Sequence, residues 1–245
     1  MSGHSKWSKI KRKKAVADQK KGKVYTRCVH EITVAVREGG GGDPGHNARL
    51  ALAIDNAKAV NMPNDNIDRA IKRATGEIKS DEEYELTYEG YGPGGVAVMV
   101  DAVTNNKNRT VGEVRHAFSK CGGALGENGS VSFLFTKRGV LSVKKELIGE
   151  EALMEVALEA GAEDINDEED VWEIITEPNM FHQVQQALRE HVELDTAELM
   201  MIPKSKVDVG GKEAEQMLRL LEMLDDLDDV LNVWANCEVP DELEA

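Results

Sequence analysis

Between residues 139 and 203 the hydrophobic pattern switches repeatedly between strand and helix periods, and few folds accommodate the resulting order. GVLSV (139–143) reads as a strand and EEALMEVALEAG (150–161) as a helix. A short strand follows near Ala162–Asn166, then a strand in VWEIITEP (171–178), a helix in FHQVQQALREHV (181–192) and a strand in AELMMIP (197–203). The order β-α-β-β-α-β is that of a ferredoxin-like unit. Segments on both sides supply a second set. VAVMVDAV (96–103) and SVSFLF (130–135) read as strands around a helix in TVGEVRHAFSKC (110–121), whose Val111, Val114, Ala117 and Phe118 point inward. After residue 204 come one more helix, EAEQMLRLLEMLDDL (213–227), and a strand, VLNVWANCEV (230–239). One α+β unit is therefore inserted into another. Trp172 and Trp234 fall in strands and read as core or interface residues.

From Val24 to Gly76 the pattern becomes helical. Val24, Cys28, Ile32 and Val36 recur every fourth residue with Ala35 beside them, and the run Gly39–Gly42 ends the helix. A second helix spans about Ala48 to Val60, with Leu50, Ile54 and Ala57 on one face, and is broken at Met62-Pro63. A third has Asn64 as its expected N-cap, Ile67, Ala70, Ile71 and Ala74 inside, and Gly76 at its end. Residues 77–83 read as an acidic linker. The expected fold is α+β in three domains. These are a basic arm and helical bundle (1–78), a discontinuous α+β domain (79–135 plus 205–245) and an inserted ferredoxin-like α+β domain (136–204).

Charge is segregated along this order. The chain carries −15 overall, yet residues 1–78 hold 16 Lys+Arg against 8 Asp+Glu, and residues 79–245 hold 14 against 37. Such asymmetry points to a polyanion-binding end and an acidic remainder. The arm concentrates the effect in Lys6, Lys9, Lys11, Arg12, Lys13, Lys14, Lys20, Lys21 and Lys23, followed by Arg27, with Asp18 the one acid up to residue 23. Lysines and arginines that neutralise phosphates supply most sequence-independent affinity for nucleic acid, and Trp7 among them can stack on a base. A segment so charged repels itself and stays extended until it meets a polyanion.

Two weaker candidates adjoin it. Arg69, Lys72 and Arg73 give the third helix a basic surface, although helix-surface charges are often simply solvated. The polar loop TNNKNRT (104–110) offers Asn105, Asn106, Lys107 and Arg109 just before a helix N-terminus, which itself favours an anion. YEGYGPGG (88–95) loosely fits a dinucleotide fingerprint but leads into a strand where that motif needs a helix, so it reads as a tight turn.

No catalytic site emerges. The six histidines are scattered, no Ser or Cys nucleophile has a local signature, and carboxylates such as Asp225, Asp226, Asp228 and Asp229 read as helix-surface charges. Cys28, Cys121 and Cys237 form no CxxC pair and suit a reducing cytosol. No apolar run approaches a membrane span, and the basic N-terminus lacks the apolar core of a secretory signal. The expectation is a cytoplasmic, non-enzymatic protein without cofactor, membrane or small-molecule substrate. Its partner would be nucleic acid, with DNA and RNA not separable because both present the same phosphate charge. The rival classes are an enzyme with a concealed carboxylate or cysteine site and a scaffold whose arm binds acidic proteins.

MSGHSKW (1–7), the Lys-rich stretch after it, DPGHNARL (43–50), NMPNDNIDRAIKRATG (61–76), YEGYGPGGVA (88–97), NRT (108–110) and GGALGENGSV (122–131) together resemble the YebC family. The resemblance covers essentially the whole chain and is strongest over residues 1–135. One departure is Asn105, where Asp is expected in many members. The resemblance implies three domains, a cytoplasmic location and no cofactor. It implies DNA-binding transcriptional regulation for bacterial members. For others, including the mitochondrial translational activator of cytochrome oxidase subunit I, it implies action in translation on the ribosome through rRNA or tRNA, with relief of stalling at proline runs. It supplies no catalytic residue and no oligomeric state.

Overall fold

In a computed structural model, which describes residues 21–78 and 83–238, three helices form the N-terminal unit. They are α1 (Lys21–Glu38), α2 (Ala48–Ala59) and α3 (Asn64–Ala74). The fourfold spacing in α1 buries Cys28, Ile32, Ala35 and Val36 against Leu50, Ala53 and Ala57 of α2 and Ile67 and Ala70 of α3. Helix α1 includes Lys21 and Lys23, which the sequence assigns to the extended arm. The N-cap of α3 is Pro63, not Asn64, which is the first helical residue; the fixed φ of proline, here −60°, suits helix entry.

The glycine run between α1 and α2 is locked by Asn47. Its side-chain amide donates to the carbonyls of Ala35 and Gly41, each at 2.8 Å, and its oxygen accepts from the Leu50 N–H at 3.0 Å as the cap of α2. A Cβ at Gly39 would lie 2.4 Å from that oxygen, so only glycine fits there. Asn47 is buried, and its loss removes a donor to the Gly41 carbonyl, the acceptor of the Leu50 N–H, and the second donor to the Ala35 carbonyl, which keeps the Gly39 N–H. Asn47→Ala is expected to cost about 2 kcal/mol, read as a lower urea midpoint with an unchanged slope.

The first sheet has the order β3-β1-β2-β9, all antiparallel, from β1 (Tyr84–Tyr91), β2 (Ala97–Thr104), β3 (Ala124–Leu125) and β9 (Val230–Ala235). Val96, Val98, Val100 and Ala102 pack on α4 (Lys107–Lys120) and α7 (Gly211–Asp225) through Val114, Phe118, Met217, Leu221 and Leu224. The opposite face carries Ala97 and Met99, covered by Val131 and Phe135. Two expectations change here. The segment YEGYGPGG is a turn only from Gly92 to Val96, with Gly94 and Gly95 at positive φ, and its first half belongs to β1. SVSFLF is not a strand: residues 132–134 form a 3₁₀ turn, and pairing resumes at Phe135.

The second sheet has the order β5-β6-β4-β7, from β4 (Phe135–Lys144), β5 (Asp164–Asp167), β6 (Val171–Thr176) and β7 (Thr196–Pro203). Helices α5 (Glu150–Glu159) and α6 (Phe181–Arg189) cover one face, and Leu141, Val143, Trp172 and Ile174 fill the core beneath them. All neighbours are antiparallel, and the strand and helix sequence is the ferredoxin-like one. In the chain this unit lies between β3 and α7. Where the chain leaves it, β8 (Val207–Asp208) pairs in parallel with β10 (Cys237–Glu238), tying the return segment to the end of the first sheet. The architecture is thus α+β, with an N-terminal helical part and two antiparallel four-stranded sheets.

Candidate nucleic-acid interface

Residues 6–20 of the basic arm, including Trp7, lie outside the described residues, as does most of the linker at 79–82. Lys21 and Lys23 fall in the first turn of α1, where only the backbone is described. The remaining candidates are distributed by the fold.

Burial of Ile67 and Ala70 turns Arg69 and Arg73 of α3 outward. Arg69 is braced along its own helix, its Nε donating to the Asp65 carbonyl and its Nη2 to Asn66 Oδ1, both at 3.2 Å. Across from them the polar loop is shorter than the sequence suggests, because α4 begins at Lys107 and takes Lys107, Asn108 and Arg109 into its first turn. Asn106 is its N-cap, accepting the Arg109 N–H at 3.1 Å. The Thr104 hydroxyl accepts the Asn106 N–H at 2.9 Å.

Asp229, immediately before β9, holds this corner. It accepts from Thr104 Oγ1 at 3.0 Å, Thr110 Oγ1 at 2.7 Å and Arg109 Nη2 at 2.8 Å. Burial pushes its carboxyl up, but the two hydroxyls and the guanidinium outweigh this and hold it below the usual carboxylate range. The same contact raises Arg109 further above its ordinary value. Asp229 is therefore not the helix-surface charge that the sequence suggests.

These elements enclose a cleft of 490 Å³ between the helical unit and the first sheet. Asn66, Arg69 and Arg73 of α3 and Tyr25 and His30 of α1 line it from the helical unit, and Asn105 and Arg109 from the first α+β unit. Glu83, Asp228 and Asp229 also reach it. Asp229 is matched by Arg109, whereas among the described residues neither Arg69 nor Arg73 is in an ion pair. Burial lowers the pKa of His30, which disfavours its charged form.

Lys72, Asn106 and Lys107 do not line the cleft. Lys107 places its Nζ 3.7 Å over the Tyr84 ring. Arg27 also lies elsewhere: its Nη2 is 3.6 Å from Asp225 Oδ1 at the C-terminal end of α7. That pairing joins the helical unit to the α+β part. Sequence reasoning missed Asn66 and Asp229 as parts of this site. The capping pattern around Asn64 gives a local hint of the first, but Asp229 lies 119 residues from Thr110 with no local signal.

Among the described residues no cluster of His, Cys, Asp or Glu side chains is placed to hold a metal ion, and no helix is long and apolar enough to cross a membrane. The arrangement can hold an anion between two arginine-bearing walls and offer amides to bases.

Comparison with known proteins agrees over the full length. A family model described as the TACO1/YebC protein N-terminal domain matches residues 5–77, and one described as the TACO1/YebC second and third domain matches residues 84–237. A probable transcriptional regulatory protein of Syntrophus aciditrophicus is 56% identical over 245 residues, covering 99% of this chain and 98% of the relative. One from Geobacter sulfurreducens is 52% identical over 243 residues, with the same coverage of both chains. The crystal structure of a conserved hypothetical protein from Aquifex aeolicus superposes with a TM-score of 0.82 at 44% identity, covering 93% of this chain and 94% of that one.

Proposed function

Because the chain belongs to the TACO1/YebC family, we propose that it is a non-enzymatic, nucleic-acid-binding regulator of gene expression. The observation that carries this is the cleft, which brings Arg69 and Arg73 opposite Asn105 and Arg109 from a different structural unit. The lysine-rich arm precedes α1 in the chain, and Tyr25 and His30 of α1 line the cleft, so we take arm and cleft arginines to act on the same polyanion. In this reading the arm (Lys6 to Lys23, with Trp7) and the cleft bind phosphates, and Asn105 meets a base or sugar. Lys72, Lys107 and Asn106 contribute charge or loop shape, and Arg27 sets the position of the helical unit. The domains divide near residues 78, 135 and 204, and the acidic α+β parts repel phosphate from the wrong faces.

The names of the bacterial relatives point to transcription, and through it to DNA. One observation favours the alternative of an RNA target and a role in translation on the ribosome. Duplex DNA is commonly read by a helix that protrudes into the major groove, whereas Arg69 and Arg73 of α3 line a cleft shared with the first α+β unit. A single strand of phosphates suits that geometry better.

The Arg69→Ala, Arg73→Ala double variant is expected to bind a single-stranded oligonucleotide about tenfold more weakly at physiological salt. The slope of log affinity against log salt should fall by about 0.7 for each phosphate that is no longer neutralised. Unchanged affinity and slope would remove the cleft from the interface.

A further inference from the structure

We infer that the loop from Gly126 to Leu134 presents Phe133 as a stacking platform for an unpaired nucleobase. This platform lies outside the arginine cleft and rests on the nucleic-acid reading above.

Phe133 is 60% exposed, the most exposed large apolar side chain among the described residues. The loop that carries it is tightly held. Glu89 on β1 is buried and accepts the N–H groups of Gly129 at 2.8 Å and of Val131 and Ser132 at 2.7 Å each. The Tyr91 hydroxyl donates to the Ser130 carbonyl at 3.0 Å. Lys204 closes the far side, its N–H donating to the Leu134 carbonyl at 2.8 Å and its Nζ to the Phe133 carbonyl at 2.9 Å. Val131 and Phe135, two residues to either side, are anchored in the core with Ala97 and Met99. The backbone therefore aims the intervening Phe133 outward.

Two features select a base over a protein groove. The apolar surface here is small, one ring with the half-exposed Tyr91 beside the same loop, while the other exposed apolar residues among those described are Ile78, after α3, and Leu147, Met154 and Leu158, on or next to α5 of the second sheet. A positive charge is fixed at the same residue, the Lys204 ammonium donating to the Phe133 backbone carbonyl; the loop's acids are exposed Glu127 and, beneath it, the fully engaged Glu89. An exposed aromatic ring whose backbone holds a cation matches a nucleotide, whose base stacks while its phosphate meets the ammonium. The loop lies toward the Tyr91 end of β1 and the cleft at the Tyr84 end, a strand length of roughly 23 Å apart.

The test uses the full chain, a single-stranded RNA oligonucleotide containing 2-aminopurine, and a duplex DNA of the same length. Phe133→Ala is expected to weaken single-strand binding about tenfold and to abolish the stacking quench of 2-aminopurine. Phe133→Trp should retain both, with duplex affinity and melting midpoint unchanged throughout. Wild-type affinity and quench in Phe133→Ala, while Arg69→Ala, Arg73→Ala weakens binding, would overturn the platform and leave the regulator reading standing. Loss of ribosome association in Phe133→Ala with RNA affinity and quench intact would also overturn it and assign the ring to a protein contact. Failure of the wild-type chain to bind either oligonucleotide would overturn the regulator reading and the platform together.

Discussion

Replacing Glu89 with alanine is expected to lower the stability of the first α+β unit by about 4 kcal/mol. The side chain sits on β1 with 6% exposure, and three backbone N–H groups of residues 129–132 converge on its two oxygens. Truncation leaves the buried Val131 N–H and the part-buried Gly129 and Ser132 N–H groups without this acceptor, and a buried unpaired donor costs about 1–3 kcal/mol. It also frees the segment whose Val131 and Phe135 cover Ala97 and Met99. Glu89→Gln should cost less, because one carbonyl oxygen can still accept the Val131 and Ser132 donors while its amide opposes the Gly129 N–H.

The pH dependence has a definite sign. Burial pushes the Glu89 carboxyl up, but the backbone donors outweigh it and hold the folded pKa below the usual carboxylate value. The contribution is therefore fully present above the unfolded pKa, near 4.3, and is lost as pH falls through the folded value. Urea unfolding at pH 7 and at pH 3 checks this. The wild type should lose more stability on acidification than Glu89→Ala, and equal losses would show that the carboxylate does not hold the loop.

The second large effect concerns binding. Changing Lys9, Lys11, Lys13 and Lys14 to glutamate alters the charge of the arm by eight units and leaves up to four phosphates without a cation. At a slope of about 0.7 to 0.9 per phosphate, the variant should bind at least about 100-fold more weakly at physiological salt. The melting midpoint should change little, because the buried residues of the three-helix core begin at Cys28.

Much of the fold is legible in the sequence because its signals are local. The ferredoxin-like unit shows clear changes of period, and the α1 register is set by Cys28, Ile32 and Val36. Strand β1 is missed for a physical reason. Tyr84–Tyr91 is half-buried, carries Glu85 and Glu89 among its residues and ends at a glycine-rich turn, so no apolar run marks it. SVSFLF misleads in the opposite sense. Its alternation suits a strand, but the Glu89 carboxylate takes the Val131 and Ser132 N–H groups and the chain turns. At the site, Arg69 and Arg73 are visible as the outward face of a helix. That Arg109 is committed to Asp229, 120 residues away, and Arg27 to Asp225 depends on tertiary placement alone.

Nucleic-acid binding by the basic region is tested most directly by letting labelled duplex DNA and purified ribosomes compete for the full chain at physiological salt, beside the four-lysine reversal. The wild type is expected to bind nucleic acid in one or both forms, and the reversal to bind neither. Preference for ribosomes would mark a translation factor, and tight sequence-dependent duplex binding a transcriptional regulator. Binding to neither by the wild type, or equal binding by the reversal variant, would contradict a regulator that works through its basic arm.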